Sequence, residues 1–352
     1  MHTERLYYHD SYLTRFSAAV TDTDGGTRVY LDRTAFYPTS GGQPHDTGRL
    51  GDRAVLEVVD EGDRVAHLLD GPLPEGPVEG EVLWERRFDH MQQHTGQHLL
   101  SAVLANRFGF RTESVHFGPS LATLDLATAS ITPAQLREAE LRANALVAED
   151  RAVEVTFEEA AEADGLRKAS TRTGTLRIVT IERLDRSACG GTHVRRTGEI
   201  GPILLRRTER VKQRVRVEFL CGQRAVGRAR ADYELLAELA QAGSAAVDEV
   251  PALFEKARAD LKLAESRRRT AEEAWNGLRA RDLYHTATPD AAGRRLVAVQ
   301  EDEGSVEILR GLAQVLSTLP GAVFVGTLAT PPTVVLAAAP DSGLDAGAVL
   351  KD

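Results

Sequence analysis

Alternating hydrophobic and polar residues predict β-strands in the first 85 residues of the chain. Residues 27–33, 54–60 and 64–70 alternate with a period of two, which places their apolar side chains on one face of a sheet. Turn sequences rich in glycine and aspartate separate these runs. Short strands at this spacing are typical of a small barrel or a sandwich.

The period changes to that of a helix after residue 86. Apolar residues recur at helical spacing up to Phe108, and Gly109 provides a stop. A second helix is predicted from Thr132-Pro133 to about Glu149. Further runs predict strands at residues 121–126, 153–157, 176–181 and 215–220. We therefore expect an α+β domain over residues 86–228.

The last third of the chain divides into two parts. Residues 229–285 consist mainly of Ala, Glu, Arg and Leu, and Pro251 splits them into two helices, which suggests an antiparallel hairpin. The strand-like runs LVAVQ, AVFVGTL and TVVLAAA, with one helix between them, predict a small α/β domain over residues 286–352. The expected fold class is α+β, with several domains.

Composition narrows the class of protein. The 352 residues include two cysteines, too few for a disulfide scaffold, which favours a reducing compartment. No apolar stretch approaches about 18 residues, so we expect a cytoplasmic protein without a membrane span. The net charge of −9 gives no attraction of the whole chain to nucleic acid.

Two histidine motifs carry the candidate chemistry. His94-Thr-Gly-Gln-His98 lies in the first predicted helix, where a spacing of four places both imidazoles on one face. Cys189-Gly-Gly-Thr-His193 has the same spacing in a glycine turn. A lone histidine pair also occurs on solvated helix faces, but both motifs together predict a shared site for one Zn²⁺. His90, one turn upstream, is expected to support this site or to face substrate, with a plain surface position as the alternative.

The first motif does not favour peptidase chemistry. Zinc proteases place a glutamate beside the paired histidines, whereas Thr95 and Gln97 stand there in this chain. Neither side chain can take a proton as a carboxylate does. Zn²⁺ would polarise the substrate and activate water without an adjacent base, which suits a bond weaker than an amide, such as an ester.

The segments HMQQHTGQHLLSAVL and SACGGTHVRRTGEIG resemble the editing domain of alanyl-tRNA synthetase and its free-standing relatives, the AlaX proteins. DRTAFYPTSGGQPHDTGRL is similar to the family's barrel-domain motif, so the resemblance runs from about residue 5 to 225. It implies a small β-barrel over residues 1–85 and an editing domain over 86–228. The remaining residues resemble the C-terminal part of the longer AlaX form. No segment resembles an amino-acid-activating domain.

The resemblance implies trans-editing: hydrolysis of tRNA(Ala) wrongly charged with serine, and also with glycine. Its zinc ligands would be His94, His98, Cys189 and His193. Gly41, Gly42 and Gln43 would lie near the tRNA acceptor end, although Ser40 replaces the family's usual preceding glycine. Independently of the resemblance, we expect His90 and Gln97 to face substrate from the helix. Four protein ligands fill a tetrahedral zinc, so catalysis needs a fifth position or a ligand that gives way.

Two further assignments come from the residues around the second motif. Asp185 is a candidate general base, with an ordinary surface acid as the alternative. Residues 206–230 hold nine basic residues against Glu209 and Glu218, which suggests contact with tRNA phosphates. The alternative is the solvated face of an edge strand. The residues expected to hold the acceptor stem are Arg206, Arg207, Arg210, Lys212, Arg214 and Arg216.

Other functions remain open at this point. The motifs are similar in threonyl-tRNA editing domains, so another aminoacyl-tRNA could be the substrate. A non-catalytic tRNA-binding protein with a structural zinc, or a zinc amidohydrolase, is also compatible with the sequence. Residues 229–352 could form a homodimer or serve as a spacer.

Overall fold

The computed structural model describes residues 2–169, 171 and 173–349 and divides into two compact units, Met1–Glu234 and Leu235–Asp352. Both units combine helices and strands, and the described residues form several separate sheets. The prediction of a mixed, multidomain chain is therefore confirmed. The boundaries of the four expected domains stay predictions, and residues 350–352 of the last one lie outside the described part.

Eight strands form the N-terminal part of the first unit: β1 (Glu4–Arg5), β2 (Arg15–Asp24), β3 (Arg28–Leu31), β4 (Arg33–Thr34), β5 (Gly48–Leu50), β6 (Arg53–Glu61), β7 (Arg64–Leu69) and β8 (Gly76–Val82). Six of them join in a closed ring, in the order β2-β3-β7-β6-β5-β8, with every pair antiparallel. Alternate side chains such as Val29, Leu50 and Val65 fill its interior.

The rest of the first unit packs around one long helix. Its elements are α1 (Trp84–Phe108), β9 (Thr112–Phe117), β10 (Ala122–Leu126), α2 (Pro133–Ala148), β11 (Val153–Glu159), β12 (Thr175–Ile181), β13 (Asp185–Ala188), β14 (Ile203–Val211) and β15 (Arg214–Cys221). They form two antiparallel sheets, β14-β15-β10-β9 and β11-β12-β13. Helix α1 is buried from His90 to Leu104, polar residues included.

Local chemistry explains the helix limits. Thr132 and Gln135 form a reciprocal capping box at the start of α2, with Pro133 in its first turn. Gly109 ends α1 in the left-handed conformation, with φ of 72°. Within α1, a Cβ on Gly96 would lie 2.3 Å from Cys221 Sγ, so the missing side chain lets β15 approach the helix. Cys221 is fully buried there.

The remaining elements are α3 (Gln223–Ala242), α4 (Val250–Thr286), β16 (Arg295–Glu303), α5 (Val306–Leu316), β17 (Ala322–Thr330), β18 (Thr333–Ala338) and α6 (Ala346–Val349). Pro251 lies in the first turn of α4, where its missing N–H has no cost. Two helices therefore occupy the predicted stretch, while their packing as a hairpin stays a prediction. Strand β17 pairs in parallel with β16 and antiparallel with β18. Among the described helices, none has the length and apolar character to cross a membrane.

A fully buried ion pair joins the strand ring to α1. Arg87 and Asp46 both have 0% side-chain exposure. Arg87 also donates to the backbone oxygens of Ser11 and Ala35, and Asp46 accepts from the backbone N–H of Tyr37 at 2.7 Å. Because each charged group is also hydrogen-bonded, the pair fixes the start of α1 against the preceding loop.

Replacing Arg87 by methionine leaves the Asp46 charge buried and unpaired. We expect Arg87→Met to lower the free energy of unfolding of the first unit by about 3–5 kcal/mol, measured by urea denaturation. The control is Arg15→Met, because Arg15 and Glu81 form an exposed pair, with 80% and 52% side-chain exposure. That change should cost less than about 1 kcal/mol. Equal effects of the two variants would contradict the assigned role of the buried pair.

A buried histidine in the strand ring predicts acid sensitivity. His67 is fully buried, with Nε2 2.8 Å from Thr34 Oγ1, and burial lowers its pKa to about 4. The unfolded chain therefore binds a proton between about pH 6.5 and 4 that the folded chain does not, and stability falls as pH drops through this window. The variant His67→Gln lacks this imidazole. Between pH 7 and 4, the free energy of unfolding of the parent should therefore fall by roughly 3 kcal/mol more than that of the variant. A difference that stays constant with pH would refute this.

Candidate metal centre

The two predicted motifs meet in the first unit. Helix α1 supplies His94 and His98, and the loop after β13 supplies Cys189 and His193. One ligand atom from each of the four lies within 4.8 Å of all the others. Cys189 Sγ is 3.3 Å from His94 Nε2 and 3.4 Å from His193 Nε2. These four residues could hold one metal ion.

A hydrogen bond at Nδ1, on the side away from the cluster, orients each imidazole ring. Each Nδ1 contacts a side-chain oxygen: Gln43 Oε1 at 2.7 Å from His94, Asp185 Oδ2 at 3.1 Å from His98, and Thr95 Oγ1 at 3.1 Å from His193. An Nδ1–H bonded to an acceptor leaves Nε2 as the free, ligating nitrogen. Metal-binding histidines typically have this second hydrogen bond, because it fixes the tautomer and the ring plane.

The glycine loop allows the two motifs to approach. A Cβ on Gly191 would lie 2.1 Å from His94 Cε1, so any larger residue would push the loop away from α1. The backbone N–H of Gly191 also points to Cys189 Sγ at 3.4 Å. A Cβ on Gly190 would make only ordinary contact with Tyr8. The second glycine of the motif is therefore the one that the close approach requires.

The electrostatics favour the thiolate form of Cys189. Burial by itself raises the pKa of the thiol, but His94 and His193 outweigh burial and hold this pKa well below its usual value. The thiolate is the form of cysteine that binds metals. Three imidazole nitrogens and one thiolate suit a borderline ion, and this donor set fits Zn²⁺.

Asp185 lies behind the ligands and not on the surface. It is 6% exposed, and its carboxylate accepts from Arg167 Nε at 2.5 Å and Ser187 Oγ at 2.9 Å in addition to His98. Burial raises its pKa, but His98 and Arg167 outweigh burial and lower it to about 2. The carboxylate is thus ionised and fully engaged in hydrogen bonds, an arrangement that orients His98.

Gln43 is presented by a tight turn. Gly41 and Gly42 have φ of +57° and +86°, and Ser40 and Gln43 exchange backbone hydrogen bonds across them at 3.1 and 2.9 Å. A two-residue turn with positive φ at both positions favours glycine. Gln43 is 1% exposed and also bonds the backbone N–H and the hydroxyl of Thr192. The structure therefore places Gln43 behind His94, while the two glycines are exposed.

The other two helix residues expected near substrate are both buried. His90 is 4% exposed, burial lowers its pKa to about 4, and its Nδ1 has no hydrogen-bond partner among the described residues. Gln97 is 6% exposed and donates to Ser101 Oγ at 2.7 Å. The described contacts link neither side chain to the four ligands.

The basic residues of β14 and β15 are largely paired with acids. The ion pairs are Arg206–Asp232, Arg207–Glu218, Arg214–Glu113 and Arg216–Asp125. Arg210 and Lys212 form no ion pair within the described part of the chain. The strand pair therefore carries less free positive charge than its sequence suggests.

The chain is similar to known proteins over the second motif and over most of its length. Residues 176–218, which include Cys189 and His193, match the model of the threonyl and alanyl tRNA synthetase second additional domain. The chain is 31% identical over 336 residues to alanyl-tRNA editing protein Aarsd1 of Rattus norvegicus, covering 88% of this chain and 79% of that protein. The chain belongs to the alanyl-tRNA editing protein family.

Other relatives are matched over a smaller share of their length. The chain is 35% identical over 231 residues to alanyl-tRNA editing protein Aarsd1-A of Xenopus laevis, covering 64% of this chain and 56% of that protein. It is 36% identical over 276 residues to alanine–tRNA ligase of Pyrococcus abyssi, covering 72% of this chain and 30% of the ligase. The resemblance inferred from the sequence motifs is confirmed.

The acceptor behind His193 provides a test of the metal centre. In Thr95→Val the side chain keeps its shape but loses the oxygen that contacts His193 Nδ1. We expect zinc affinity to fall about 10- to 100-fold, measured by competition with a chromophoric chelator. The matched control is Thr95→Ser, which keeps the hydroxyl and should keep the affinity. Unchanged affinity in the valine variant would show that this hydrogen bond does not orient the ligand.

Proposed function

We propose that the protein is a zinc-dependent aminoacyl-tRNA deacylase that removes serine, and also glycine, from wrongly charged tRNA(Ala). The observation that carries this proposal is the buried cluster of three oriented imidazoles and one thiolate in a chain of the alanyl-tRNA editing family. Relatives that match the chain are themselves named alanyl-tRNA editing proteins.

The reaction class follows from the groups beside the ligands. Zn²⁺ held by His94, His98, Cys189 and His193 would supply Lewis acidity and lower the pKa of water. Thr95 and Gln97 stand where zinc peptidases have glutamate, and Asp185 already accepts hydrogen bonds from His98, Arg167 and Ser187. Because this carboxylate is not free to act as a general base, the centre is better suited to hydrolysing an ester than an amide. We therefore assign Asp185 an orienting role in place of the general base expected from sequence.

Access to the centre also supports a catalytic role. His94, His98 and His193 are at most 5% exposed, whereas Cys189 is only partly buried. Substrate would approach from the Cys189 side. Since four protein ligands fill a tetrahedral zinc, turnover requires a fifth position or the displacement of one ligand, and Cys189 is the most accessible candidate.

The need for such an enzyme has a physical basis. A pocket built for alanine cannot strongly exclude the smaller glycine, and it rejects the single extra hydroxyl of serine only weakly. A second site that hydrolyses the wrong ester corrects both errors. Arg210 and Lys212, which lack ion-pair partners among the described residues, are the basic residues best able to contact the acceptor stem.

We extend the proposal to the remaining parts of the chain. The closed strand ring serves as the family's barrel, and α3 and α4 as its helical hairpin. Apolar side chains on α4 support a homodimer through residues 229–352, because they are unusually exposed for their size: Phe254 63%, Leu261 61%, Trp275 63% and Leu278 68%.

The deciding experiment is deacylation of purified Ser-tRNA(Ala) with and without a chelator. We expect removal of zinc to slow hydrolysis at least about a hundredfold, and added zinc to restore it, because metal Lewis acidity contributes several kcal/mol. Gly-tRNA(Ala) and Ser-tRNA(Thr) in parallel distinguish alanyl-type from threonyl-type editing. Undiminished turnover by the zinc-free protein would refute the mechanism.

A structural zinc is the main alternative, and Cys189→Ala separates the two cases. The deacylase proposal predicts a folded protein, by circular dichroism and urea denaturation, that has lost hydrolysis of Ser-tRNA(Ala). A structural zinc predicts an unfolded first unit.

A further inference from the structure

A row of three side chains crosses the sheet β11-β12-β13 and ends at the metal centre. Phe157 on β11 is directly opposite Arg177 on β12, and the backbone N–H of Cys189 bonds the carbonyl of Arg177 at 3.0 Å. Opposite residues of antiparallel strands point to the same face. With strands about 4.8 Å apart, the aromatic residue lies roughly 10 Å from the metal ligand across the sheet, with the arginine between them.

Arg177 is a buried cation beside the Cys189 thiolate, a group that the metal would bind. It is 8% exposed, and within the described part of the chain it forms no ion pair with a carboxylate. Nε donates to the carbonyl of Tyr8 at 2.9 Å and Nη1 to that of Cys189 at 2.7 Å, while Nη2 has no described partner. An unmatched buried donor is costly, and a metal bound to Cys189 would take up the charge of the thiolate, so a further anion would complete the site.

Aromatic rings extend the row towards solvent. Phe157 is 44% exposed, and the centre of its ring lies 5.1 Å from the centre of the exposed His9 ring. The centre of the Tyr8 ring lies 5.6 Å from the Arg177 guanidinium carbon, and a Cβ on Gly190, next to Cys189, would lie 3.5 Å from the Tyr8 hydroxyl. Exposed rings next to a cation are typical of sites that stack unpaired bases and bind the ribose-phosphate backbone.

We infer that Tyr8, His9, Phe157 and Arg177 form a subsite for the single-stranded 3′-terminal nucleotides of the RNA whose ester is hydrolysed. Nη2 of Arg177 is itself buried, so the guanidinium turns to meet the terminal ribose-phosphate, and a base stacks on the Phe157–His9 pair. The row from Phe157 to Arg177 ends at Cys189, the least buried of the four candidate ligands. A nucleotide that lies along this row therefore has its 3′ ester at the metal centre. The inference rests on the proposed function for the identity of the ester.

Stacking is tested with a fluorescein-labelled CCA trinucleotide, the sequence that ends every tRNA. Phe157→Ala should weaken binding, followed by fluorescence anisotropy, about 5- to 150-fold, because base stacking contributes about 1–3 kcal/mol. Phe157→Tyr keeps a ring and should restore binding. The matched control, Leu56→Ala, removes a 57% exposed apolar side chain on β6 and should have no effect. Unchanged binding by Phe157→Ala overturns the subsite.

The charge is tested by the salt dependence of the same binding. Arg177→Gln should reduce the slope of log K against log salt by about 0.7, the value for one phosphate contact on a single strand. Zinc content and circular dichroism check that the Cys189 loop survives; if it does not, the Phe157 result decides alone. An unchanged slope in a folded, zinc-loaded variant contradicts the role of Arg177.

Turnover separates this inference from the proposed function. With Ser-tRNA(Ala), Phe157→Ala should raise KM by a similar factor and leave kcat nearly unchanged, because the ring binds the nucleotide away from the reacting ester. Parent protein that binds CCA through Phe157 but does not deacylate would refute the proposed function and leave an RNA-end subsite. Active protein whose KM is unaffected by Phe157→Ala would refute the subsite and leave the function.

Discussion

Three hydrogen bonds to imidazole Nδ1 atoms are the constraint on which the centre depends. Their acceptors, Gln43, Asp185 and Thr95, come from a turn of the strand ring, the start of β13 and α1 itself. Each fixes one ring so that Nε2 faces the cluster. In a buried site, an imidazole that rotated would lose its Nδ1 hydrogen bond and would also move Nε2 away from the cluster. The three hydrogen bonds therefore stabilise one orientation of the rings.

The close approach of these segments has its own requirements. Gly96 and Gly191 leave no Cβ where β15 and the glycine loop contact α1 and its histidine. The buried Arg87–Asp46 pair fixes the first turn of α1 against the chain segment that ends near Gln43. A polar helix can therefore run through the core, because its polar groups find partners on neighbouring elements.

The position of each positive charge and its partners indicate function more clearly than the number of basic residues does. Arginines of β14 and β15 are mostly neutralised by acids on adjacent strands and helices, which is typical of solvated sheet faces. Arg177 is different, since it is buried beside the least covered metal ligand and has no carboxylate partner among the described residues. For this reason a single buried arginine supports an anionic ligand better than a run of exposed ones.

The sequence by itself determined the four candidate metal ligands and the main elements. Spacing of four in a helix and in a glycine turn is a local property, so His94, His98, Cys189 and His193 could be assigned without a fold. The limits of α1 and α2 follow likewise from Gly109 and from the Thr132 capping box.

Only the tertiary structure decided where the supporting residues lie and what they contact. Gln43 and Asp185 were expected to meet substrate or water, yet each is buried behind a histidine, 51 and 87 residues distant along the chain from its partner. The alignment of Phe157, Arg177 and Cys189 likewise depends on the register of two strand pairs. Local patterns give the type of a side chain and its element, but its partners depend on how distant segments pack.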